Sequence, residues 1–304
     1  MRHMEILTVQ NLAVDYGSFR ALEITQPLRF SAGDRIGIIG GNGAGKSTFA
    51  KALCGLVNYT GSIQTQLKQR DIAMHLQENA YVKRMPVSYI IEAVFNTSIY
   101  KNERLLEIIR FFDFESCLKK RFAQLSGGQK QKLTIIMILF QDRPLTFFDE
   151  VTSGLDFESR VKLMQKVQEW YREKNTTVCV VSHYYDELEK FVNKLLIIDK
   201  GRVAAFGDVD TLFKRYCADV IVVIENNADN QRLTQGIEKI HAPAHLMAFP
   251  CRSKKDEEKI CKLLISNGVN FKRSDKDIEI LFVNAVNSMD AEGADTENLE
   301  EAAA

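Results

Sequence analysis

Short apolar runs alternate with amphipathic stretches along most of the chain. Residues 5–14 alternate loosely between apolar and polar and predict a strand entering a turn at Asp15-Tyr16-Gly17. Arg35–Ile39, Leu145–Phe148, Thr177–Val181 and Leu195–Asp199 are short runs with the pattern of buried strands. From Lys46 onward, Phe49, Ala52, Leu53 and Leu56 recur at helical spacing. Residues 86–122 carry helical patterns, including the Leu105/Leu106/Ile108/Ile109 face of Glu103–Phe112, and residues 158–172 are amphipathic. Strands alternating with helices predict an α/β layered core with a partly parallel sheet. Residues 80–135 read as a largely helical subdomain.

A turn at Asp199-Lys-Gly201 leads into Arg202–Gly207, the last hairpin strand of this pattern, which ends around residue 215. A first domain over 1–215 and a small α/β unit over 216–287 follow as expectations. In the second unit we expect strand Val220–Ile224, helix 229–240, strand Leu246–Phe249 and helix 254–266. Asp277–Val286 fits both periods: Ile278, Leu281/Phe282 and Ala285 suit a helix, while Ile278, Ile280 and Phe282 suit a strand. Residues 288–304 hold six acids and no base, which predicts a disordered tail.

Composition narrows the class. Hydrophobic residues make up 45% of 304, enough for a full core. Lys+Arg and Asp+Glu are both 40, and this balance argues against a nucleic-acid partner. Six scattered cysteines show no zinc or redox spacing, a pattern that fits a reducing cytoplasm. The first residues hold no apolar signal region, and the longest apolar run, near Leu133–Phe140, is too short for a bilayer. Any membrane pore must therefore come from another chain.

Gly40, Gly41, Asn42, Gly43, Ala44, Gly45, Lys46 and Ser47 match a phosphate-binding loop at every fixed position, between a strand and a helix. Glycines there let backbone N–H groups face phosphates at a helix N-terminus. Lys46 is expected to bridge the β- and γ-phosphates, Ser47 to ligate Mg²⁺, and Thr48 to reach the α-phosphate. Asp149 ends an apolar strand and suits Mg²⁺ binding through water. The adjacent Glu150 points elsewhere and suits polarisation of an attacking water.

Leu125-Ser-Gly-Gly-Gln129 lies between these motifs. In that order, phosphate loop, glycine-rich signature and acidic strand end resemble the ATP-binding subunit of an ATP-binding cassette (ABC) transporter. The resemblance covers residues 5–210. It implies a P-loop cassette with a helical subdomain, a Mg²⁺-dependent ATPase activity and a second cassette as dimer partner. It implies that Ser126, Gly127, Gly128 and Gln129 meet the ATP held by that partner. Ser153-Gly-Leu-Asp156 resembles the family's D-loop, placing Asp156 at the nucleotide. Gln77 falls where a Mg²⁺- and water-sensing glutamine lies, His183 resembles the switch histidine, and Tyr16 the aromatic that stacks on adenine. Lys132 where Arg is common, and Val151 where Pro is common, are mild departures.

The C-terminal part resembles, more weakly, the extension of bacterial exporter cassettes of the multidrug and antibiotic-peptide type. There, a segment like Lys276–Phe282 is helical. The resemblance thus implies a subunit that powers a separate transmembrane permease, for export, and sits on the inner face of the membrane through it. The alternative is a soluble cassette such as a ribosome-associated translation factor. One cassette per chain and the transporter-like Ser153–Asp156 argue against it. A DNA-repair cassette would need long heptads, which are missing between loop and signature. A catalytically dead subunit would lack some of Lys46, Ser126, Asp149, Glu150 and His183, and all are present.

Overall fold

The computed structural model describes residues 4–75 and 81–301, with side chains through residue 291. Gln77 lies outside the described residues. The chain opens with β1 (Glu5–Tyr16), β2 (Phe19–Ile24), β3 (Leu28–Ser31) and β4 (Arg35–Ile39), which runs into α1 (Lys46–Leu53). β5 (Thr60–Thr65) and β6 (Ile72–Met74) precede three helices, α2 (Val87–Phe95), α3 (Glu103–Phe111) and α4 (Gly127–Gln141). Then come β7 (Leu145–Asp149), α5 (Phe157–Tyr171), β8 (Thr177–Val181), α6 (Tyr185–Phe191), β9 (Lys194–Asp199) and β10 (Arg202–Asp208). The C-terminal part holds α7 (Val209–Tyr216), β11 (Val220–Glu225), α8 (Ala228–Leu233), β12 (Leu246–Cys251), α9 (Lys254–Ser266), β13 (Lys272–Ser274) and α10 (Ile278–Glu301).

The main sheet runs β3-β1-β2-β10-β9-β4-β8-β7-β6, with β5 also on β1. Strands β9, β4, β8, β7 and β6 are mutually parallel. Those strands are buried on both faces, so they read as unbroken apolar runs. Ile36, Ile38, Cys179 and Val181 face the core under α1, with Phe49, Ala50 and Leu53. Val178, Val180, Leu195 and Ile197 face the opposite core, with α4 and α5. A period of two thus divides each strand between two cores. Helices α2 to α4 fall within and just beyond the segment expected to be helical, ending at Gln141.

Helix α1 stops at Leu53, because Gly55 turns left-handed (φ 66), and Leu56 is exposed rather than on its face. Helix α8 ends seven residues before the expected 240. Thr234 turns its hydroxyl back onto the Asn230 carbonyl, and Gly236 then adopts φ 79. The ambiguous 277–286 stretch is helical. The Asp277 carboxylate caps α10 by accepting from Ile280 N, and Ile278, Leu281 and Ala285 are buried. Helix α10 runs past residue 288, where the tail was expected to begin, to Glu301.

The C-terminal sheet, β12-β11-β13, has α9 on one face, where Val222, Ile224, Phe249, Ile260 and Leu264 form a small core. Its other face belongs to the cassette's own core. Ile221, Val223, Ala248, Ile278 and Leu281 cluster with Val209, Leu212, Phe213, Leu188 and Ile197. Lys276 Nζ donates to Val192 O, and Ile278 N donates to Glu189 Oε1. The C-terminal unit therefore covers apolar surface of the cassette instead of standing apart from it.

Candidate functional site

Three neighbouring parallel strands deliver the site. Register pairs Ile38 with Val181 and Val181 with Asp149, so β4, β8 and β7 end level. Their next residues are Gly40, Ser182-His183 and Glu150. Met74 pairs with Phe147, so β6 ends beside them, just before the segment that holds Gln77. The carboxyl ends of parallel strands form the usual ligand crevice of such sheets.

The loop after β4 is sterically specified. A Cβ on Gly40 would lie 2.1 Å from Ile198 O, and Gly45 has φ 107 with Ala21 O close by. Neither position tolerates a side chain. The Ala44 carbonyl accepts from Gly201 N at 3.0 Å, which pins the loop to the β9–β10 turn. Lys46 Nζ is folded into the loop and donates to the carbonyls of Gly40 and Gly41, both at 2.9 Å. Burial lowers its pKa, while Glu150 and Asp149 act in the opposite direction. The loop opens on a cavity of about 320 Å³ lined by Tyr16, Phe19, Ala21, Asn42–Thr48 and Glu150. Tyr16 lies on the wall of this cavity. Phe19 pairs with it across the β1–β2 hairpin and shares the cavity wall. An aromatic at the far side of a tight turn was the available signal for Phe19.

Asp149 is buried, and burial pushes its carboxyl above the ordinary range, opposed by a hydrogen bond from Ser47. Its Oδ1 has no hydrogen-bond partner among the described residues. An orphaned buried carboxylate oxygen beside a serine hydroxyl and a phosphate loop is a donor set that fits Mg²⁺ or its bound water. Behind it, His75 Nδ1 donates to the Asp149 carbonyl at 2.9 Å. His75 is buried and supports the strand end, in line with a structural role.

Glu150 sits in the left-handed region (φ 51), which turns its side chain away from Asp149. Such a conformation costs about 1–2 kcal/mol outside glycine. Glu150 Oε1 meets His183 Nε2 at 2.8 Å. The signature residues lie elsewhere. Ser126 caps α4 reciprocally with Gln129, at 3.3 and 3.2 Å. A side chain on Gly127 would meet nothing of the described chain within 4 Å, and one on Gly128 only Leu155 at 3.6 Å. Asp156 caps α5, accepting from Ser159 N at 2.9 Å. None of Ser126, Gly127, Gly128, Gln129 or Asp156 lines the loop cavity.

Known proteins match this arrangement. The family model for ABC transporters matches residues 26–153. The manganese transport system ATP-binding protein MntB of Halalkalibacterium halodurans is 32% identical over 227 residues, 68% of this chain and 88% of that one. The methionine import ATP-binding protein MetN of Clostridium tetani is 29% identical over 238 residues, 72% and 74% of the two chains. A solved ATP-binding subunit of an ABC transporter superposes with a TM-score of 0.60 at 25% identity, over 69% of this chain and 93% of that one. The expected exporter character finds no support among these curated relatives, two of which are named for transport of manganese and import of methionine. The chain belongs to the ABC transporter family as one of its ATP-binding cassettes, ATPases that are coupled to transport.

Proposed function

We propose that two cassettes, this chain and a second copy or a related chain, close head-to-tail over MgATP and hydrolyse it to drive a separate permease. The observation that carries this reading is the Glu150–His183 contact at the mouth of the phosphate-loop cavity. Lys46 binds the β- and γ-phosphates, Thr48 reaches the α-phosphate and Tyr16 stacks on adenine. Ser47 and Asp149, with Gln77, hold Mg²⁺, which neutralises phosphate charge. Glu150 orients the attacking water and accepts its proton, and His183 holds Glu150 and contacts the γ-phosphate. The signature supplies donors to the opposite cassette's ATP. Gly127 supports this, since nothing among the described residues requires a glycine there.

Among the described residues no helix is long and apolar enough to cross a membrane. We place the chain on the inner face of the membrane, held by its permease. Val82, Tyr89, Val94 and Tyr100 are each more than half exposed. They form the apolar patch for that contact. Uptake is the direction that the relatives' names support. Export is a second reading, favoured by the helical state of residues 278–282.

Copurification with membranes that carry the cognate permease, followed by crosslinking from positions 82–100, tests the reading. Crosslinks to the permease and ATP-driven solute movement in sided vesicles are expected, and the sidedness decides between uptake and export. Crosslinks to ribosomes instead would overturn the transport role.

A further inference from the structure

Glu187 is a charged side chain with 6% exposure, on a helix that contributes nothing to the nucleotide cavity. Its Oε2 accepts from Thr152 Oγ1 at 3.1 Å and from Ser182 Oγ at 3.3 Å. Thr152 lies two residues after Glu150, and Ser182 immediately precedes His183. Both hydroxyl residues are buried. On the other side, Glu187 Oε1 faces Arg160 Nε at 2.9 Å. Neither atom has hydrogen-bond geometry, so charge alone holds the pair. The Arg160 guanidinium also stacks 3.5 Å over the ring of Tyr184, the residue after His183. Tyr184 N donates in turn to Ser182 Oγ at 3.0 Å.

We propose that Glu187 is a positioning residue for ATP hydrolysis, whose carboxylate ties the loop carrying Glu150 to the loop carrying His183. The proposal rests on the catalytic reading of those two residues given above. A purely structural role does not need this chemistry, because apolar side chains of similar volume replace buried ion pairs at little loss of stability. What the carboxylate adds is one oxygen shared by two hydroxyls from two different loops. That sharing restricts how far Glu150 and His183 can move relative to each other. Glu150 needs the restraint, since its left-handed backbone (φ 51) persists only where the surrounding structure holds it. Misplacement of a water-activating carboxylate by an ångström lowers rate while leaving the phosphate loop, and so ATP binding, intact.

The test compares steady-state ATPase, ATP affinity and thermal melting for Glu187→Gln, for Thr152→Val with Ser182→Ala, and for the two combined, with Glu150→Gln alongside. Glu187→Gln is expected to lower kcat by about 10- to 100-fold with ATP affinity within about twofold. The hydroxyl double variant keeps the Glu187–Arg160 charge pair while removing the two shared hydroxyls, and it gives a second route where Glu187→Gln does not fold. It is expected to give a similar loss of kcat, and the combined variant no further loss. A kcat within threefold of wild type for folded variants overturns the proposal, as does a parallel loss of ATP affinity. If Glu150→Gln is inactive while these variants turn over normally, the positioning role fails and the catalytic reading stands. If Glu150→Gln itself turns over, the catalytic reading fails first.

Discussion

His183 Nε2 and Glu150 Oε1 are 2.8 Å apart, although 33 residues separate them in the chain. The contact follows from sheet register. Asp149 pairs with Val181, so one residue beyond β7 and two beyond β8 meet above the same edge. The left-handed turn at Glu150 completes the approach by directing its carboxylate out of the strand line.

Ser126 is exposed and its hydroxyl caps α4, so Ser126→Arg leaves the fold intact at a cost of about 1 kcal/mol for the cap. The residue does not line its own chain's nucleotide cavity. ATP affinity measured on dilute monomer is expected to stay near wild type, and turnover at high concentration to be lost. Equal loss of both shows a signature that acts within one chain and removes the head-to-tail model.

Tyr16 and Phe19 both face the cavity and are both about half exposed or more. An aromatic contact with a base contributes about 0.5–1.5 kcal/mol. Tyr16→Ala is expected to weaken ATP binding by roughly 3- to 10-fold, with inorganic triphosphate binding unchanged. Phe19→Ala adds a smaller loss. Titration with both ligands checks this, and equal weakening for triphosphate rules out an adenine contact.

The shared core ties the C-terminal unit to stability. Leu281 is fully buried against cassette residues, and Leu281→Ala is expected to destabilise the chain by about 2–5 kcal/mol with ATP affinity unchanged. Truncation after residue 215 is expected to lower the Tm and cause aggregation, because Leu212, Phe213 and Leu188 lose their cover. Nucleotide binding persists in whatever fraction stays folded. A folded fraction that cannot bind ATP contradicts this division of labour.

Burial pushes Glu187 up to about 7, against the opposing pull of Arg160. A carboxyl raised above its unfolded value contributes stability below the unfolded pKa of about 4.3 and loses it as pH rises through the folded value. The stability of wild type relative to Glu187→Gln is therefore expected to fall between about pH 4.5 and 7, by up to roughly 3 kcal/mol. Urea unfolding of both proteins at pH 5 and 7.5 measures it. A difference that grows with pH contradicts the sign.

Much of this molecule was legible in its residues. Gly40–Ser47, Asp149 and Glu150 lie at strand ends that apolar runs mark clearly, and β7, β8 and β9 begin and end within a residue of expectation. Strands β2, β3 and β5 carry weaker patterns, because each is short and partly exposed. Glu187 and Arg160 look like ordinary surface charges on helices. Only the packing of α5 against α6 shows them buried, and that contact depends on partners 27 residues apart. The C-terminal unit reads as separate because its strands have their own turns, while the shared core arises from long-range contacts that no local window contains.

The most direct test is Glu150→Gln, followed for ATP affinity, steady-state ATPase and oligomeric state in the presence of Mg²⁺ and ATP. The expected result is ATP binding near wild type, turnover lowered by at least about 100-fold, and accumulation of an ATP-bound dimer. Near-wild-type turnover, or an inactive variant that stays monomeric at saturating ATP, contradicts hydrolysis by Glu150 within a closed cassette pair.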